Sequence, residues 1–258
     1  MRYFIEIAYD GTSYHGWQIQ GEEPTVQRLL EEGLRYKLGC MQSITGCGRT
    51  DSGVHARQFF AHFDLDGNPD NQQVENAVSE LNSFLPSDIA VYRIFRVADN
   101  AHARFDANTR TYHYYINICK DPFLERFAWT YRASLEVDAM NKAAMMLPEF
   151  SDFTSFAKLH SDAKTNICRI SAASWSLEGR QLVFTITADR FLRNMVRAIV
   201  GTLIEVGRGK LTPEYFREVI LSKDRGAAGM SAPAKGLFLQ KVDYSPEKIF
   251  HYNEGLTD

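Results

Sequence analysis

The sequence of 258 residues predicts an α+β fold made of two similar halves. Two observations carry this prediction. In the first half, patterns typical of a strand, a helix, further strands, a helix and a strand follow one another, which is the order of a ferredoxin-like unit. A second and less regular round follows a connection near residues 98–108. We therefore expect an N-terminal α+β half at residues 1–103 and a C-terminal α+β half at residues 104–258.

The first half is predicted from apolar spacing and turn residues. Alternation of apolar and polar residues indicates strands at residues 3–9, 59–65 and 89–97. Pro24 and Thr25 mark the start of a helix, and an apolar face follows them. That face consists of Val26, Leu29, Leu30 and Leu34. The second helix has the cleanest helical spacing in the chain, at Val74, Ala77, Val78, Leu81 and Leu85.

The second half is predicted in the same way. Strands are expected at residues 112–118 and 237–242, and a hairpin joins strands 171–177 and 181–188 through Glu178 and Gly179. Helices are expected at residues 137–147 and from Phe191 to a stop near Gly207. The tail after Pro246 carries no functional prediction.

Composition excludes several classes of protein. No stretch approaches the roughly 18 apolar residues that span a membrane, and no signal-peptide pattern is present, so a cytoplasmic location is expected. The four cysteines form no C-x-x-C pair and the seven histidines form no H-E-x-x-H pattern, so neither a disulfide framework nor a zinc site is predicted. The formal charge of -3 argues against coating of nucleic acid by bulk charge but allows a basic cleft.

The strongest polar signal is the segment at residues 46–56, GCGRTDSGVHA, which we name the Asp loop. Gly46, Gly48 and Gly53 predict a tight backbone or the close approach of a ligand, and functional side chains concentrate on such loops. Asp51 is therefore a candidate catalytic residue. The alternative is an ordinary turn aspartate that binds its own backbone.

Three further segments allow two interpretations each. The N-terminal segment at residues 9–20, YDGTSYHGWQIQ, is suited to stacking on RNA bases, or to a packed corner with Trp17 in the core. Tyr112 and Tyr114 share one face of a strand, either as nucleobase contacts or as ordinary sheet residues. Arg190, Arg193 and Arg197 would share one face of a helix, facing phosphates or solvent. From the residues alone, a nucleic-acid-binding or phosphate-binding α+β protein follows.

Six segments together resemble the TruA family of tRNA pseudouridine synthases. They span essentially the whole chain in the family's order, and GRTDSGVHA is the most specific. The segments are YDGTSYHGWQIQ, TVQRLLEEGL, GCGRTDSGVHA, HARFDANTRTYHYYI, FLRNMVRAIVG and APAKGLFLQKVDY. Two departures are Ser52, where the family pattern usually has Ala, and Asn194, where it often has His.

The resemblance implies a fold and a reaction. The fold is that of the pseudouridine synthases, in which two ferredoxin-like halves form a mainly antiparallel central sheet with an active-site cleft between them. The reaction isomerises uridine to pseudouridine in the anticodon stem-loop of tRNA, at positions 38–40. A homodimer that grips tRNA is implied, with no metal and no organic cofactor.

The resemblance also implies roles for single residues. Asp51 matches the essential aspartate, and a carboxylate can attack as a nucleophile or act as a base. Arg197 matches the arginine expected to pair with it, and Arg49 holds the loop or the RNA. Tyr112 matches the tyrosine that stacks on the target base, and Leu237 matches an apolar residue near that base.

Two alternative functions remain at this stage. A non-catalytic RNA-binding module is compatible with a ferredoxin-like fold, because a fold alone does not prove activity. A metal-dependent hydrolase would use Asp10, Asp51, His15 and His55, although hard-metal sites usually gather several carboxylates.

Overall fold

The chain folds into two compact units. In the computed structural model, residues 1–67, 71–158 and 164–249 are described. The first unit comprises Met1–Asn108 and the described residues from Lys241 onwards, and the second comprises Thr109–Gln240. Both divisions therefore fall within strands, one between Asn108 and Thr109 and the other between Gln240 and Lys241.

The first unit has the ferredoxin-like element order that the sequence predicts. Its elements are β1 (Arg2–Tyr9), α1 (Val26–Leu38), the short β2 (Thr45–Gly46), β3 (His55–Asp64), α2 (Asn71–Phe84) and β4 (Ile89–Arg96). β1 lies between β4 and β3, and β2 pairs with β3, so the strand order is β4-β1-β3-β2. These pairings are antiparallel.

Local sequence signals explain the helix boundaries in this unit. The Thr25 hydroxyl accepts a hydrogen bond from the Arg28 backbone N–H, which caps α1 at its start. Gly39 ends α1 in the left-handed conformation at φ 65°, a region that favours glycine. Gly33 brings the helices together, because a Cβ there would lie 2.9 Å from a methyl carbon of Leu81 on α2.

β1 is irregular next to the Asp loop. Its register with β3 shifts between Ile7, which pairs with Phe59, and Tyr9, which pairs with Ala56. Such a bulge strengthens the local twist and redirects the side chains beyond it. Tyr9 therefore leaves the regular ladder at the point where β3 begins.

The second unit repeats the same strand order with a less regular chain. Its elements are β5 (Ala107–Asn117), β6 (Trp129–Thr130), α3 (Val137–Ala144), β7 (Ile170–Glu178), β8 (Gln181–Ala188), α4 (Met195–Gly207), α5 (Pro213–Ser222) and β9 (Leu237–Tyr244). The order is β9-β5-β8-β7. β5 and β7 pair antiparallel with β8, whereas β6 pairs parallel with β5. The predicted α+β class with a mainly antiparallel sheet is confirmed.

Two helix predictions need correction. α4 begins at Met195, not at Phe191, because Asn194 has the left-handed conformation at φ 65° and a helix cannot run through it. α3 ends at Ala144, and Pro148 follows in a separate 3-10 turn, where it cannot continue a helix. In the tail, α6 (Pro246–Ile249) follows β9, and the residues beyond Ile249 lie outside the described residues.

α5 is a helix that the sequence analysis missed. Its start carries a usable signal, since the Thr212 hydroxyl accepts from the Tyr215 N–H at 3.1 Å and Pro213 occupies the first helical position. Proline is favoured there because its missing N–H has no helical partner. α5 packs against α3 and α4, and its apolar residues Phe216, Val219 and Ile220 are buried.

Candidate active site

The Asp loop is held by the N-terminal segment through very close backbone packing. A Cβ on Gly11 would lie 2.0 Å from the Val54 carbonyl oxygen. A Cβ on Gly16 would lie 2.3 Å from the Thr50 carbonyl oxygen, and Gly16 has a φ of 89°. Both glycines are therefore required by the contact, because any larger residue would push the loop away.

Hydrogen bonds fix the loop on both sides of Asp51. Before it, the Thr50 hydroxyl lies 2.9 Å from the buried Tyr9 hydroxyl, and the Thr50 carbonyl accepts from the Trp17 N–H at 3.4 Å. After it, the Gly53 N–H donates to the Tyr14 carbonyl at 3.2 Å. We name this set of contacts between residues 9–20 and the Asp loop the loop clamp.

Asp51 lies at the turn of the clamped loop. Its carbonyl accepts from the Val54 N–H at 3.1 Å, and its side chain is half-buried. The neighbouring Ser52 hydroxyl donates to the Tyr14 carbonyl at 3.3 Å, so this departure from the family pattern adds a bond to the clamp. Asp51 thus lies in a turn, and the loop clamp attaches that turn firmly to residues 9–20.

His55 has a structural role in the clamp. Its ring is fully buried, and its Nδ1 lies 3.0 Å from both the Gly11 N–H donor and an Asp10 carboxylate oxygen. His15, by contrast, is exposed and faces Glu23 at 3.5 Å. Of the residues proposed for a metal-dependent hydrolase, Asp10 and His55 thus contact each other, whereas His15 pairs with Glu23. Throughout the described part of the chain, no group of three His, Cys, Asp or Glu side chains could hold a metal ion.

Trp17 belongs to the core, which selects the packed-corner interpretation for this residue. It is 2% exposed, and its ring centroid lies 4.2 Å from that of Phe59. Gly46 allows this packing, since a Cβ there would lie 2.6 Å from the indole nitrogen. Trp17 therefore packs against Gly46 at the start of the Asp loop, and its buried ring cannot stack on an RNA base.

A groove runs beside the Asp loop in the first unit. Its volume is about 260 Å³. The exposed Arg49 lines it, two residues before Asp51, together with Arg104 from a turn that follows β4. We name it the Arg49 groove. Arg49 is thus placed beside an opening that a polar ligand can enter.

Tyr112 and Tyr114 differ although they share a face of β5. Tyr112 pairs with Ile186, is half-buried, and meets Phe191 edge-on at a centroid distance of 5.1 Å. Tyr114 is fully buried, and its hydroxyl donates to the Pro233 carbonyl at 2.8 Å. Burial raises the pKa of Tyr114 above its ordinary value, against the lowering effect of Arg197. Tyr114 is therefore a core residue, whereas Tyr112 is only half-buried.

Arg197 is held against the loop that leads to Leu237. Its Nε donates to the Ala232 carbonyl at 2.8 Å, and the Ala232 N–H donates back to the Arg197 carbonyl at 2.9 Å. Leu237, which begins β9, is 6% exposed. The predicted arginine stripe is wrong, because Arg190 and Arg193 precede the first residue of α4 and do not share its surface.

The predicted site residues are thus distributed over both units. Asp51 and Arg49 lie on the Asp loop of the first unit, and Tyr112, Arg197 and Leu237 lie in the second. The sequence analysis did not single out Tyr9 and Thr50, whose buried hydroxyl pair supports the Asp loop. Both lie inside the recognised motifs, but a motif alone does not show that they meet.

Comparison with known proteins identifies the family. A sequence model for a family described as tRNA pseudouridine synthase matches residues 150–245. A tRNA pseudouridine synthase A of Bacteroides fragilis is 52% identical over 250 residues, with 96% of this chain and 98% of that protein covered. The protein of the same name from Bacteroides thetaiotaomicron is 55% identical over 252 residues, covering 96% of this chain and 92% of that one.

These similarities define the chain first as a pseudouridine synthase. More specifically, it belongs to the tRNA pseudouridine synthase A family, as the resemblance of its six segments indicates. Among solved structures, a "Crystal Structure of a Cbf5-Nop10-Gar1 Complex" aligns at 10% identity and a TM-score of 0.35. That alignment covers 92% of this chain and 57% of the other.

Across residues 1–67, 71–158 and 164–249, no helix is both long enough and apolar enough to cross a bilayer.

Proposed function

We propose that this chain isomerises uridine to pseudouridine in the anticodon stem-loop of tRNA, at positions 38–40, with Asp51 as the catalytic carboxylate. Membership of the tRNA pseudouridine synthase A family makes the chain an isomerase that acts on uridine in tRNA. To this we add the region of the tRNA, which is the anticodon stem-loop, the modified positions within it, and the roles of single residues.

The loop clamp is the observation that carries the assignment of Asp51. Catalysis requires groups held in place before the substrate arrives, because misplacement by about 1 Å costs about a hundredfold in rate. The clamp fixes the backbone on both sides of Asp51 and leaves the side chain half-buried. An aspartate serving only its own turn needs no such attachment.

The reaction balances without a co-reactant. The bond from C1′ of ribose to N1 of uracil is replaced by a bond from C1′ to C5, C5 loses a proton, and N1 gains one. A single ionised carboxylate can act in this sequence as the nucleophile or as the base. No oxidant or organic cofactor is needed for the balance.

The remaining site residues bind the substrate. Arg49 and Arg197 supply positive charge for the RNA, since guanidinium groups bind phosphate through paired hydrogen bonds. Tyr112, which is half-buried, stacks on the target base, and Leu237 provides an apolar contact near it. The target must leave its helical stack, and these contacts offset the few kcal/mol that this costs.

We further propose that the protein works as a homodimer in the cytoplasm and that residues 1–103 and 104–258 are its two sequence halves. This part rests on the resemblance to the TruA family. Light scattering of the purified chain tests the dimer directly, and a monomer at assay concentration would refute it.

The central experiment is an assay of pseudouridine by nucleoside mass spectrometry after incubation with unmodified tRNA in the presence of a chelator. We expect product from the wild type, mapped to the anticodon stem-loop, and none from Asp51→Asn. Asp66→Asn is the matched control, because Asp66 is exposed and lies in the same unit away from the Asp loop.

The alternatives predict different results. Tight binding of tRNA without product, across several tRNAs, would favour the RNA-binding module. Loss of activity on chelation would revive a metal-dependent reaction. Product at uridines outside the stem-loop would refute the proposed positions while leaving the isomerase assignment unchanged.

A further inference from the structure

The Arg49 groove has a buried floor and an exposed rim within the first unit. Trp17, Ile44 and Gln27 contribute to the floor, where they are 2%, 2% and 8% exposed. Arg49 and Arg104 lie on the rim and are exposed. The groove's volume of about 260 Å³ is below the range of about 300–1,000 Å³ that is usual for pockets that enclose a whole small molecule, so the groove can hold only part of a larger ligand.

The polar groups of the floor are already engaged. The Gln27 amide nitrogen donates to Glu31 at 2.9 Å and to the Ile44 carbonyl at 3.0 Å, and its oxygen accepts from the Ile19 N–H at 3.1 Å. Glu31 also accepts from the Ser43 hydroxyl at 2.7 Å. The negative charge of Glu31 is therefore stabilised by internal donors, and Arg49 and Arg104 place two guanidinium groups on the rim.

Gly48 lines the groove although the fold does not require a glycine there. A Cβ at Gly48 would meet nothing within 4 Å, and Gly48 is not among the glycines with positive φ. Gly11 and Gly16 differ, because backbone atoms of the loop clamp would collide with their Cβ atoms. The absence of a side chain at Gly48 leaves the wall of the groove open to the close approach of a ligand.

We infer that the Arg49 groove binds the nucleotide that neighbours the target uridine in the RNA. Arg49 and Arg104 bind its phosphate, and the side chains of Gln18 and Thr45 face its ribose and base edges. The inference rests on the proposed function, because it names a second nucleotide of the same substrate.

The position of the groove determines which nucleotide it can hold. Arg49 lies two residues before Asp51, so their Cα atoms are at most about 7 Å apart. One nucleotide step can bridge this separation, which is why we assign the groove to the neighbouring nucleotide. The polar groups that face the ribose are of the kind that distinguish RNA by its 2′-hydroxyl.

The test is a graded series at Gly48, with Ala, Val and Leu, measured as kcat and KM for unmodified tRNA. Each added carbon fills more of the groove, so we expect KM to rise with side-chain size, about tenfold for Leu, which corresponds to about 1.4 kcal/mol. kcat should change little, because the neighbouring nucleotide does not react and its binding is lost in the ground state and the transition state alike. Gln42→Leu is the control, since Gln42 is exposed on the same segment and does not line the groove.

A second readout tests the phosphate contact. Binding of tRNA to Asp51→Asn is measured over a range of salt concentrations, with and without Arg104→Ala. Loss of one phosphate contact should lower the slope of log affinity against log salt by about 0.7. Arg35→Ala, which removes an exposed arginine on α1 outside the groove, should leave the slope unchanged.

The outcomes separate this inference from the function on which it rests. An active wild type whose KM is unchanged in Gly48→Leu would overturn the inference and leave the proposed function intact. A wild type that makes no pseudouridine would overturn the proposed function, and the binding measurements would still decide whether RNA occupies the groove. The unfolding midpoints of the Gly48 variants are measured as a control. If they equal that of the wild type, a rise in KM is due to the groove and not to a loss of stability.

Discussion

The hydroxyl groups of Tyr9 and Thr50 lie 2.9 Å apart in the buried interior of the first unit, and Thr50 directly precedes Asp51. Tyr9 ends β1 just beyond the bulge in that strand. The pair therefore connects the Asp loop to the sheet by a side-chain bond as well as by the backbone. Groups that support a reacting residue must hold it within about 0.5 Å of its working geometry.

Tyr9→Phe removes this bond and keeps the ring. We expect the free energy of unfolding to fall by about 1 kcal/mol, the usual contribution of one hydrogen bond. We also expect kcat to fall while KM for tRNA stays near its wild-type value, because Asp51 loses support and the RNA contacts remain. Urea unfolding and steady-state kinetics measure the two effects. Tyr3→Phe makes the same change on β1 away from the loop, and an equal kcat in both variants would contradict the positioning role.

Gly16→Ala places a Cβ against the Thr50 carbonyl at a φ of 89°. Backbone strain of this kind costs about 1–3 kcal/mol, and displacement of Thr50 moves Asp51 with it. We expect a fall of several degrees in the unfolding midpoint together with loss of product. Gly48→Ala provides the comparison, since its Cβ meets nothing within 4 Å. Similar unfolding midpoints for the two variants would contradict this prediction, because they would show that the loop clamp can accommodate a Cβ at position 16 at little cost in stability.

His62 makes stability depend on pH. Burial, with a further contribution from Arg2, lowers the pKa of His62 from 6.5 to about 4. Between these values the unfolded chain binds a proton at His62 that the folded chain does not bind, so the free energy of unfolding falls as the pH is lowered through this window. Above about pH 6.5 the residue contributes no pH dependence.

The pH prediction is tested by urea unfolding at pH values above, within and below the window. The His62 Nδ1 accepts from the Ala103 N–H at 3.1 Å, in the turn that precedes Arg104. His62→Asn keeps an acceptor and removes the titration, so the loss of stability within the window should become smaller. An unchanged pH dependence in this variant would assign the effect to other groups.

Tyr114→Phe tests whether the hydrogen bond from Tyr114 holds the segment that leads to Leu237 in place. The Tyr114 hydroxyl donates to the Pro233 carbonyl at 2.8 Å, and its raised pKa keeps it protonated as a donor. We expect the free energy of unfolding to fall by about 1 kcal/mol and KM for tRNA to rise. Tyr215→Phe, on the exposed surface of α5, is the control and should match the wild type in both. A wild-type KM in Tyr114→Phe would separate this segment from RNA binding.

The regular elements could be predicted from the sequence because their signals are local. Alternation over residues 3–9 corresponds to β1 (Arg2–Tyr9), and the spacing from Val26 corresponds to α1 (Val26–Leu38). The start of α4 was wrong because the left-handed conformation of Asn194 has no clear signature in apolar spacing. α5 was missed although Thr212 and Pro213 form a recognisable helix start.

The site could be predicted only in part, because its geometry depends on contacts between distant residues. The glycines of the Asp loop indicated a tight backbone, but the partner of that backbone lies in residues 9–20. The choice between two interpretations of Trp17 depended on Gly46, which no spacing rule connects to it. The groove lining likewise combines separate segments, from Gln18 to Arg104.

The loop clamp has a consequence for how activity is acquired and lost. Its side-chain bonds join residues about forty positions apart, so none can form before β1 and β3 have found their register. The Asp loop thus lacks an independent folded state and should open only when the sheet of the first unit opens. Amide protons of Trp17 and Gly53 should then exchange with solvent as slowly as those of β1, so that melting of this sheet and inactivation coincide.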